Sequence, residues 1–372
     1  MSTMVLDTIA DLVDVQASSA EFDQIVVNCP YFARLGLLRH ALKYSSFHAA
    51  SNAVIQMKSP AHTGYGLNRR CINRWQILSE AALALSGRGV FMPLEQKGDI
   101  AFRIGEAFSP CRSVTFGIVF SGRENECSML EGALRSISEI RGVNSDNCEI
   151  VVLGGGECDG TQMVRDYRHL NLRYIYHEGA IENGRFLVSQ KKSRFFEVAT
   201  NDALVISHTR IGFDPSFCEA LFRQRFEVCA PRVYFMEGET KRPYLDYVLV
   251  GDYDVTKTRR IRTLLSSDFG DKHLYLMRNR VAYVDGGITI FDRRKIDQSP
   301  FLRELAWGEA EDLVMARKMF GDGYLIDYCP DMLAYSTTDK LKGRISFRHR
   351  ISKSIRRARV HCEYISSRYL YA

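Results

Sequence analysis

The sequence predicts an α/β protein: a mainly parallel sheet flanked by helices, with an extra region before it and a basic segment after it. Three observations carry this. Short continuous apolar runs at 114–120, 148–153 and 203–206 have the texture of strands buried on both faces. Stretches with apolar residues at helical spacing separate them. Each run stops in a polar or glycine-rich turn, so strands and helices alternate through short connections.

The elements follow in chain order. Residues 1–110 read as mainly helical, with helical apolar spacing around Asp11–Val13, over Leu35–Leu42 and over Trp75–Leu85. Ser86-Gly87-Arg88-Gly89 ends the last of these. No chemistry motif stands in this region, and its lone histidines (His40, His48, His62) are expected to be structural. Val114–Phe120 is the first buried strand, broken by Ser121-Gly122-Arg123-Glu124-Asn125. A helix follows, with Met129, Leu130, Ala133, Leu134, Ile137 and Ile140 on one face. Cys148–Leu153 is the second strand, stopped by Gly154-Gly155-Gly156, and Arg173–Tyr176 is the third. Val188–Ala199 reads as a helix and Ala203–Ile206 as the fourth strand, ending at Ser207-His208-Thr209-Arg210. Ligands of such sheets bind outside the carboxyl ends of the strands. Those ends are 121–124, 154–157, 177–178 and 208–210.

The stretch Trp307-Gly308-Glu309-Ala310-Glu311-Asp312 holds one of the two tryptophans and three carboxylates. Leu313, Val314, Ala316, Met319 and Phe320 follow at helical spacing. Carboxylates in a helix's first turn face unpaired N–H groups and the positive end of the dipole, which keeps them ionised and directed. A fixed carboxylate can take a proton from a sugar hydroxyl while a neighbouring tryptophan stacks on the ring. The alternative reading is an acidic helix start beside a core tryptophan.

The 46% hydrophobic and 25% charged fractions are those of an ordinary globular chain, and 372 residues suffice for more than one domain. No apolar run approaches a membrane-spanning length. The first residues lack the pattern of a secretory signal. Ten cysteines lie scattered without paired or metal-ligand spacing, as expected of reduced thiols in a cytoplasmic protein. The charge is uneven: residues 340–372 carry ten Lys or Arg against one acid, Glu363. There Ile345, Phe347, Ile351, Ile355 and Val360 interleave with basic residues, an amphipathic helical pattern suited to an anionic membrane surface. A packed helix with a solvated basic face is the plainer alternative. No nucleic-acid module accompanies the charge, so no nucleic-acid partner is expected.

The order of motifs resembles the GT-A nucleotide-sugar transferases, and within them glycosyltransferase family 2. The string EIVVLGGGECDGT (149–161) resembles that family's EIIVVDDGSTDGT, and SQKKSRFFEVATNDALVISHTRI (189–211) resembles its basic helix followed by A-x-G-D and a D-x-D. Asp285-Gly286-Gly287 followed by WGEAED resembles its acceptor loop and acidic helix, and FGDGYLIDYCPDMLAYS (320–336) its closing strand. The likeness spans about Ser113 to Ser336. It implies three parts: residues 1–110, a GT-A domain over 111–338, and the basic tail 339–372.

The resemblance assigns roles. Asp312 would be the general base, with Glu311 and Glu309 orienting acceptor hydroxyls, and either of those could serve as base if the match is displaced by a turn. Trp307, Gly286 and Gly287 would face the acceptor. Ser121, Arg123, Glu124, Gly154, Lys191, Lys192, Asp202, His208 and Arg210 would meet the donor. One in-line displacement would invert the anomeric carbon. Two departures matter. Glycines replace the aspartate pair after the second strand, and His208-Thr209-Arg210 replaces the D-x-D. Mg²⁺ wants oxygen ligands, and this triplet has no carboxylate. Mn²⁺ or Mg²⁺ therefore stays open as a cofactor and none is firmly expected, because Arg210, Lys191 or Lys192 can stabilise a leaving diphosphate instead. The expected partners are a nucleotide sugar, with UDP-sugars first, and a glycan or lipid-linked acceptor. The expected setting is the cytoplasm, with docking on the inner face of a membrane through 340–372. The alternatives are a degenerate GT-A domain that binds without turnover and a nucleotidyltransferase; the Gly-rich basic signature of the latter is missing after the first strand.

Overall fold

Two sheets organise the chain. The computed structural model describes residues 2–28, 35–58, 74–86, 89–93, 99–155, 161–177, 181–182, 185–243, 245–251, 262–265, 280–284, 286–307 and 309–338. The basic tail, with its expected helix, lies outside the described residues.

The first sheet corrects the expectation of a mainly helical amino-terminal region. Thr3–Leu6 (β1), Ile9–Ala17 (α1), Phe22–Asn28 (β2), Leu35–His48 (α2), Ala49–Lys58 (β3), Arg74–Ala84 (α3), Gly89–Pro93 (β4) and Ile100–Ile104 (β5) form an α/β layer. Its strand order is β1-β2-β3-β5-β4. β1, β2 and β3 run parallel, and β5 is antiparallel to β3 and β4. The physical reason is alternation. Met4 and Leu6 are buried in β1, and Ala53, Ile55 and Met57 in β3, at the period of two that half-buried strands require. The helices expected near 11–13, 35–42 and 75–85 are α1, α2 and α3.

The second sheet matches the expected class. It is built from Val114–Val119 (β6), Glu124–Ser138 (α4), Cys148–Gly154 (β7), Thr161–Asp166 (α5) and Leu172–Tyr176 (β8). A short hairpin, Ile181–Glu182 (β9) and Arg185–Phe186 (β10), precedes Val188–Val198 (α6), Ala203–His208 (β11), Ile211–Phe213 (β12) and Phe217–Leu221 (α7). Val228–Glu237 (β13) and Thr240–Pro243 (β14) follow. Leu245–Gly251 (β15), Arg262–Leu265 (β16) and Arg280–Val284 (β17) make a separate three-stranded sheet. Ile288–Asp292 (β18), Glu311–Gly321 (α8) and Ile326–Ser336 (β19) complete the described chain. The main order is β12-β19-β13-β18-β11-β6-β7-β8, with β14 on β13. β8, β7, β6 and β11 are parallel, while β18 runs antiparallel to β11 and β13.

Both faces of this sheet are covered, which is why its strands read as unbroken apolar runs. Phe116, Ile118, Ile150, Val152 and Val205 pack with Leu130, Leu134 and Ile137 of α4. Val119, Val151, Leu153, Leu204 and Ile206 pack with Phe195 of α6 and Met315 and Met319 of α8. Gly117 is needed on that side, because a Cβ there would lie 2.7 Å from the Phe195 ring. Phe108 belongs to the first core and Cys111 to the second. Among the described residues no helix is long and apolar enough to cross a membrane.

The winding of the parallel strands reverses at β6. From β6 the chain steps to β7 and β8 on one side, then returns to place β11 on the other. The carboxyl ends of β6 and β11 therefore diverge, and a crevice opens between them.

Candidate functional site

A cleft of about 680 Å³ opens at that reversal, walled by the ends of β6 and β11. At the β6 end, Gly122 adopts φ +83°, which turns the chain from strand into α4. Ser121 N donates to Glu126 Oε2 at 3.2 Å, and Arg123 N to Ser121 Oγ at 3.3 Å. Ser121, Arg123 and Glu126 thus face the cleft from one side.

At the β11 end, His208 and Arg210 face it from the other, both less than 10% exposed. Arg210 Nη1 lies 3.1 Å from His208 Nδ1. A guanidinium only donates, so Nδ1 is the acceptor in this contact. Trp307 closes the cleft as a plate that is 54% exposed. Its ring lies 5.0 Å from the His208 ring and 6.5 Å from the Phe186 ring, and the backbone N–H of Trp307 donates to Phe186 O at 2.8 Å. Glu309 lines the same cleft, its Oε2 held by Ala306 N at 2.9 Å.

The acidic helix start lies close by. Ala310, just before α8, adopts φ +59°, a conformation costing a non-glycine residue about 1–2 kcal/mol. Glu311 is buried, and its Oε1 meets Lys192 Nζ at 3.1 Å. Lys192 also donates to Gly286 O at 3.0 Å. Asp312 Oδ2 accepts from Tyr283 Oη at 2.7 Å and from Gly286 N at 3.1 Å. A Cβ on Gly286 would lie 3.0 Å from both Asp312 Oδ2 and Glu311 Oε1. The bare backbone of Gly286 therefore approaches the two carboxylates. Gly287 is buried, its carbonyl accepting from His208 N at 3.0 Å.

Lys191 is buried under the strand ends. Its Nζ donates to Phe120 O at 2.6 Å and Leu153 O at 3.3 Å. Burial pushes its pKa down to about 8, against the pull of nearby Glu126.

The structure thus gathers Ser121, Arg123, His208, Arg210, Trp307 and Glu309 around one cleft, with Lys191 beneath the same strand ends. Glu311, Asp312, Lys192 and Gly286 form a second, hydrogen-bonded group at the start of α8. Asp202, Gly154 and Glu124, expected at the donor, are not among the residues that line the cleft. Asp202 precedes β11, so it sits at the amino-terminal edge of the sheet, opposite the crevice, and accepts from Arg112 N at 2.9 Å. Gly154 is needed for packing: a Cβ there would lie 1.8 Å from Tyr174 Oη. Glu124 is exposed in the first turn of α4 outside the cleft wall, and Glu126 stands there instead. Glu157 and Asp285 lie outside the described residues. Sequence reasoning passed over Glu126, Met129 and Phe186, which line the cleft. The pair Asn183-Gly184 between β9 and β10 is a hairpin signal that could have found Phe186.

The residues at the D-x-D position do not fit a divalent cation. The triplet offers one imidazole, and the Arg210 guanidinium occupies its Nδ1 at 3.1 Å with a positive charge. Among the described residues no three His, Cys, Asp or Glu side chains cluster so as to hold a metal ion.

No family model and no curated protein matches the chain. Solved structures do. S. aureus TarS (residues 1–349, in complex with UDP-GlcNAc) is similar over 63% of this chain and 62% of its own, at 14% identity and TM-score 0.41. A Pyrobaculum calidifontis mannosyltransferase, in complex with GDP-Man and Mn²⁺, is similar over 63% and 58%, at 16% identity and TM-score 0.37. The T. maritima inositol-1-phosphate CTP transferase is similar over 64% and 94%, at 10% identity and TM-score 0.36. The chain spans about three fifths of the length of the first two. Likenesses this distant assign no activity.

Proposed function

We propose that the protein is a glycosyltransferase that moves a sugar from a nucleotide diphosphate sugar, a UDP-sugar first, to a hydroxyl acceptor by one inverting in-line displacement. The observation that supports it is the cleft at the winding reversal. It puts two arginines, an exposed tryptophan and two carboxylates within one space of about 680 Å³. Arg123 and Arg210 receive the diphosphate, since guanidinium forks match phosphate oxygens. Arg210 also meets the charge that grows on the leaving group. Trp307 stacks on a sugar ring. Asp312 is the assigned general base, its direction held by Tyr283 and Gly286. Glu309, in the cleft itself, orients the acceptor hydroxyl and is the second candidate for the base.

The similar solved structures include complexes with UDP-GlcNAc and with GDP-Man, which accords with a nucleotide-sugar donor. The acceptor is a glycan or lipid-linked sugar, with residues 340–372 docking on an anionic membrane surface. If so, the full chain sediments with anionic vesicles in a salt-sensitive way and a chain ending at Asp339 does not; equal binding to neutral vesicles would refute the docking. Nucleotide release from a panel of nucleotide sugars, with and without acceptor and EDTA, tests the reaction. Turnover that survives EDTA is expected. Loss that Mn²⁺ restores would overturn the metal-free reading. Binding without turnover would make this a degenerate domain, and no binding of any nucleotide would sink the proposal.

A further inference from the structure

The far end of the acidic helix is embedded in the first α/β layer. Arg39 of α2, 1% exposed, donates through Nη1 to Phe320 O at 2.8 Å and to Tyr324 O at 3.3 Å. Phe320 O lies in the last turn of α8, where it also accepts from Gly323 N at 3.2 Å, and Tyr324 follows the helix. The rest of the guanidinium pairs with Glu80 of α3 through Nε and Nη2, and it lies 4.2 Å from the centre of the Phe320 ring. The turn after α8 interlocks with α3. Gly323 adopts φ +91°, and a Cβ there would lie 2.4 Å from Leu83 O.

The grip continues along the chain. Leu325 is buried in the first core. Its N–H donates to Glu227 Oε2 at 3.0 Å, while Glu227 Oε1 meets Lys43 of α2 at 2.6 Å. Asp327 accepts from Tyr44 Oη at 2.9 and 3.0 Å and from Gln16 Nε2 of α1 at 3.1 Å. Residues 320–327 are thus held by α1, α2 and α3 together.

An apolar seam would join two layers more cheaply than buried charges, whose desolvation costs several kcal/mol per ion. A forked guanidinium on two carbonyls and a carboxylate specifies one position and direction, which an apolar seam does not. The held segment ends a stiff rod. α8 has 11 residues and spans roughly 16 Å. Its other end carries Glu311 and Asp312.

We propose that the amino-terminal layer positions the acidic helix. Arg39 is the positioning residue that sets the axial register of α8, and through it the placement of Asp312 against Gly286 and Tyr283. This rests on the proposed reaction insofar as Asp312 acts in it.

Two variants test the grip from different sides. Arg39→Met combined with Glu80→Gln removes both charges at once, leaving neither ion unpaired. Gly323→Ala keeps every charge and wedges α8 away from Leu83. The control is Arg225→Met with Glu21→Gln, which breaks a 2.9 Å ion pair between the same two layers away from α8. Transfer kinetics and hydrogen exchange at the amides of Gly286 and Val314–Phe320 are measured on folded protein. In both test variants kcat falls about tenfold, because misplacement of a reacting group by an ångström costs up to a hundredfold. The KM for the nucleotide sugar stays within about twofold, as expected when substrate binding is untouched, and exchange at those amides rises. The control changes neither. Unchanged kcat and exchange in the test variants, or an equal loss in the control, overturns the proposal. Should the wild-type chain turn over no nucleotide sugar, the transferase reading fails by itself and exchange alone decides the grip. Faster exchange in the test variants then supports it, and unchanged exchange overturns it.

Discussion

Both sheets contain parallel strands joined through helices, yet they are wound differently and serve different ends. In the first, β1, β2 and β3 step steadily in one direction. In the second, the stepping reverses at β6, and the cleft lies at the reversal. Their buried charges follow the same division. Arg39, Lys43 and Glu80 of the first layer serve contacts with α8, Glu227 and each other. Lys191 and Arg210 of the second gather at strand ends beside the cleft. A parallel sheet provides a site where its winding reverses, and support where it does not. Changes in the second sheet should then act on turnover, and changes in the first on stability and placement.

The largest expected effect lies at the start of α8. Asp312→Asn should lower transfer by about a hundredfold or more while nucleotide-sugar binding persists. Near-normal transfer in that variant, with Glu309→Gln inactive, would move the base into the cleft wall. Next comes Arg210→Met, expected to reduce kcat/KM about tenfold or more through loss of a charged hydrogen bond to phosphate. Retention of full kcat/KM would return Arg210 to a structural partner of His208.

A pH series sharpens the comparison further. Lys191 loses its charge as pH rises through about 8, because burial disfavours the ammonium. Donor KM should therefore climb several-fold above that pH, and Lys191→Met should flatten the rise. A KM that climbs equally in both proteins excludes Lys191.

The smallest effect belongs to the seam with the support layer, where Asp327 of β19 accepts from Tyr44 of α2 and Gln16 of α1. Burial raises the pKa of Asp327 to about 6, from an ordinary 3.8. The folded state then holds the proton more tightly than the unfolded chain, so stability falls as pH rises between those values and levels off above them. Asp327→Asn should remove that slope. Its melting temperature relative to wild type should improve by about 2–4 °C between pH 4 and pH 7. A constant difference across that range would deny Asp327 the titration.

What was legible follows from burial. β6, β7 and β11 are covered on both faces, so their apolar runs stand out, and the residues just after them mark the cleft. β1 is short and half-buried, and β3 is half-buried, so their alternating residues stand out less than the helical spacing of α2. The expected contact at Asp202 came from a matching string, whereas strand direction puts it at the opposite edge of the sheet. Tyr283 could not be foreseen as a partner of Asp312, because the three-stranded insertion that ends in β17 brings it there. Arg39 gave no signal either, since the contacts that tie it to α8 are to backbone carbonyls about 280 residues away.

Thr337 donates its N–H to Arg210 O at 3.0 Å, and Thr338 lines the cleft. The ten cationic residues of 340–372 are therefore leashed to the mouth of the site by covalent bonds. On the proposed reading, an anionic acceptor that engages them would be held by a segment joined covalently to the cleft, at an effective concentration set by the connection rather than by the bulk. A weak grip by the tail would suffice to keep one acceptor within reach through successive turnovers.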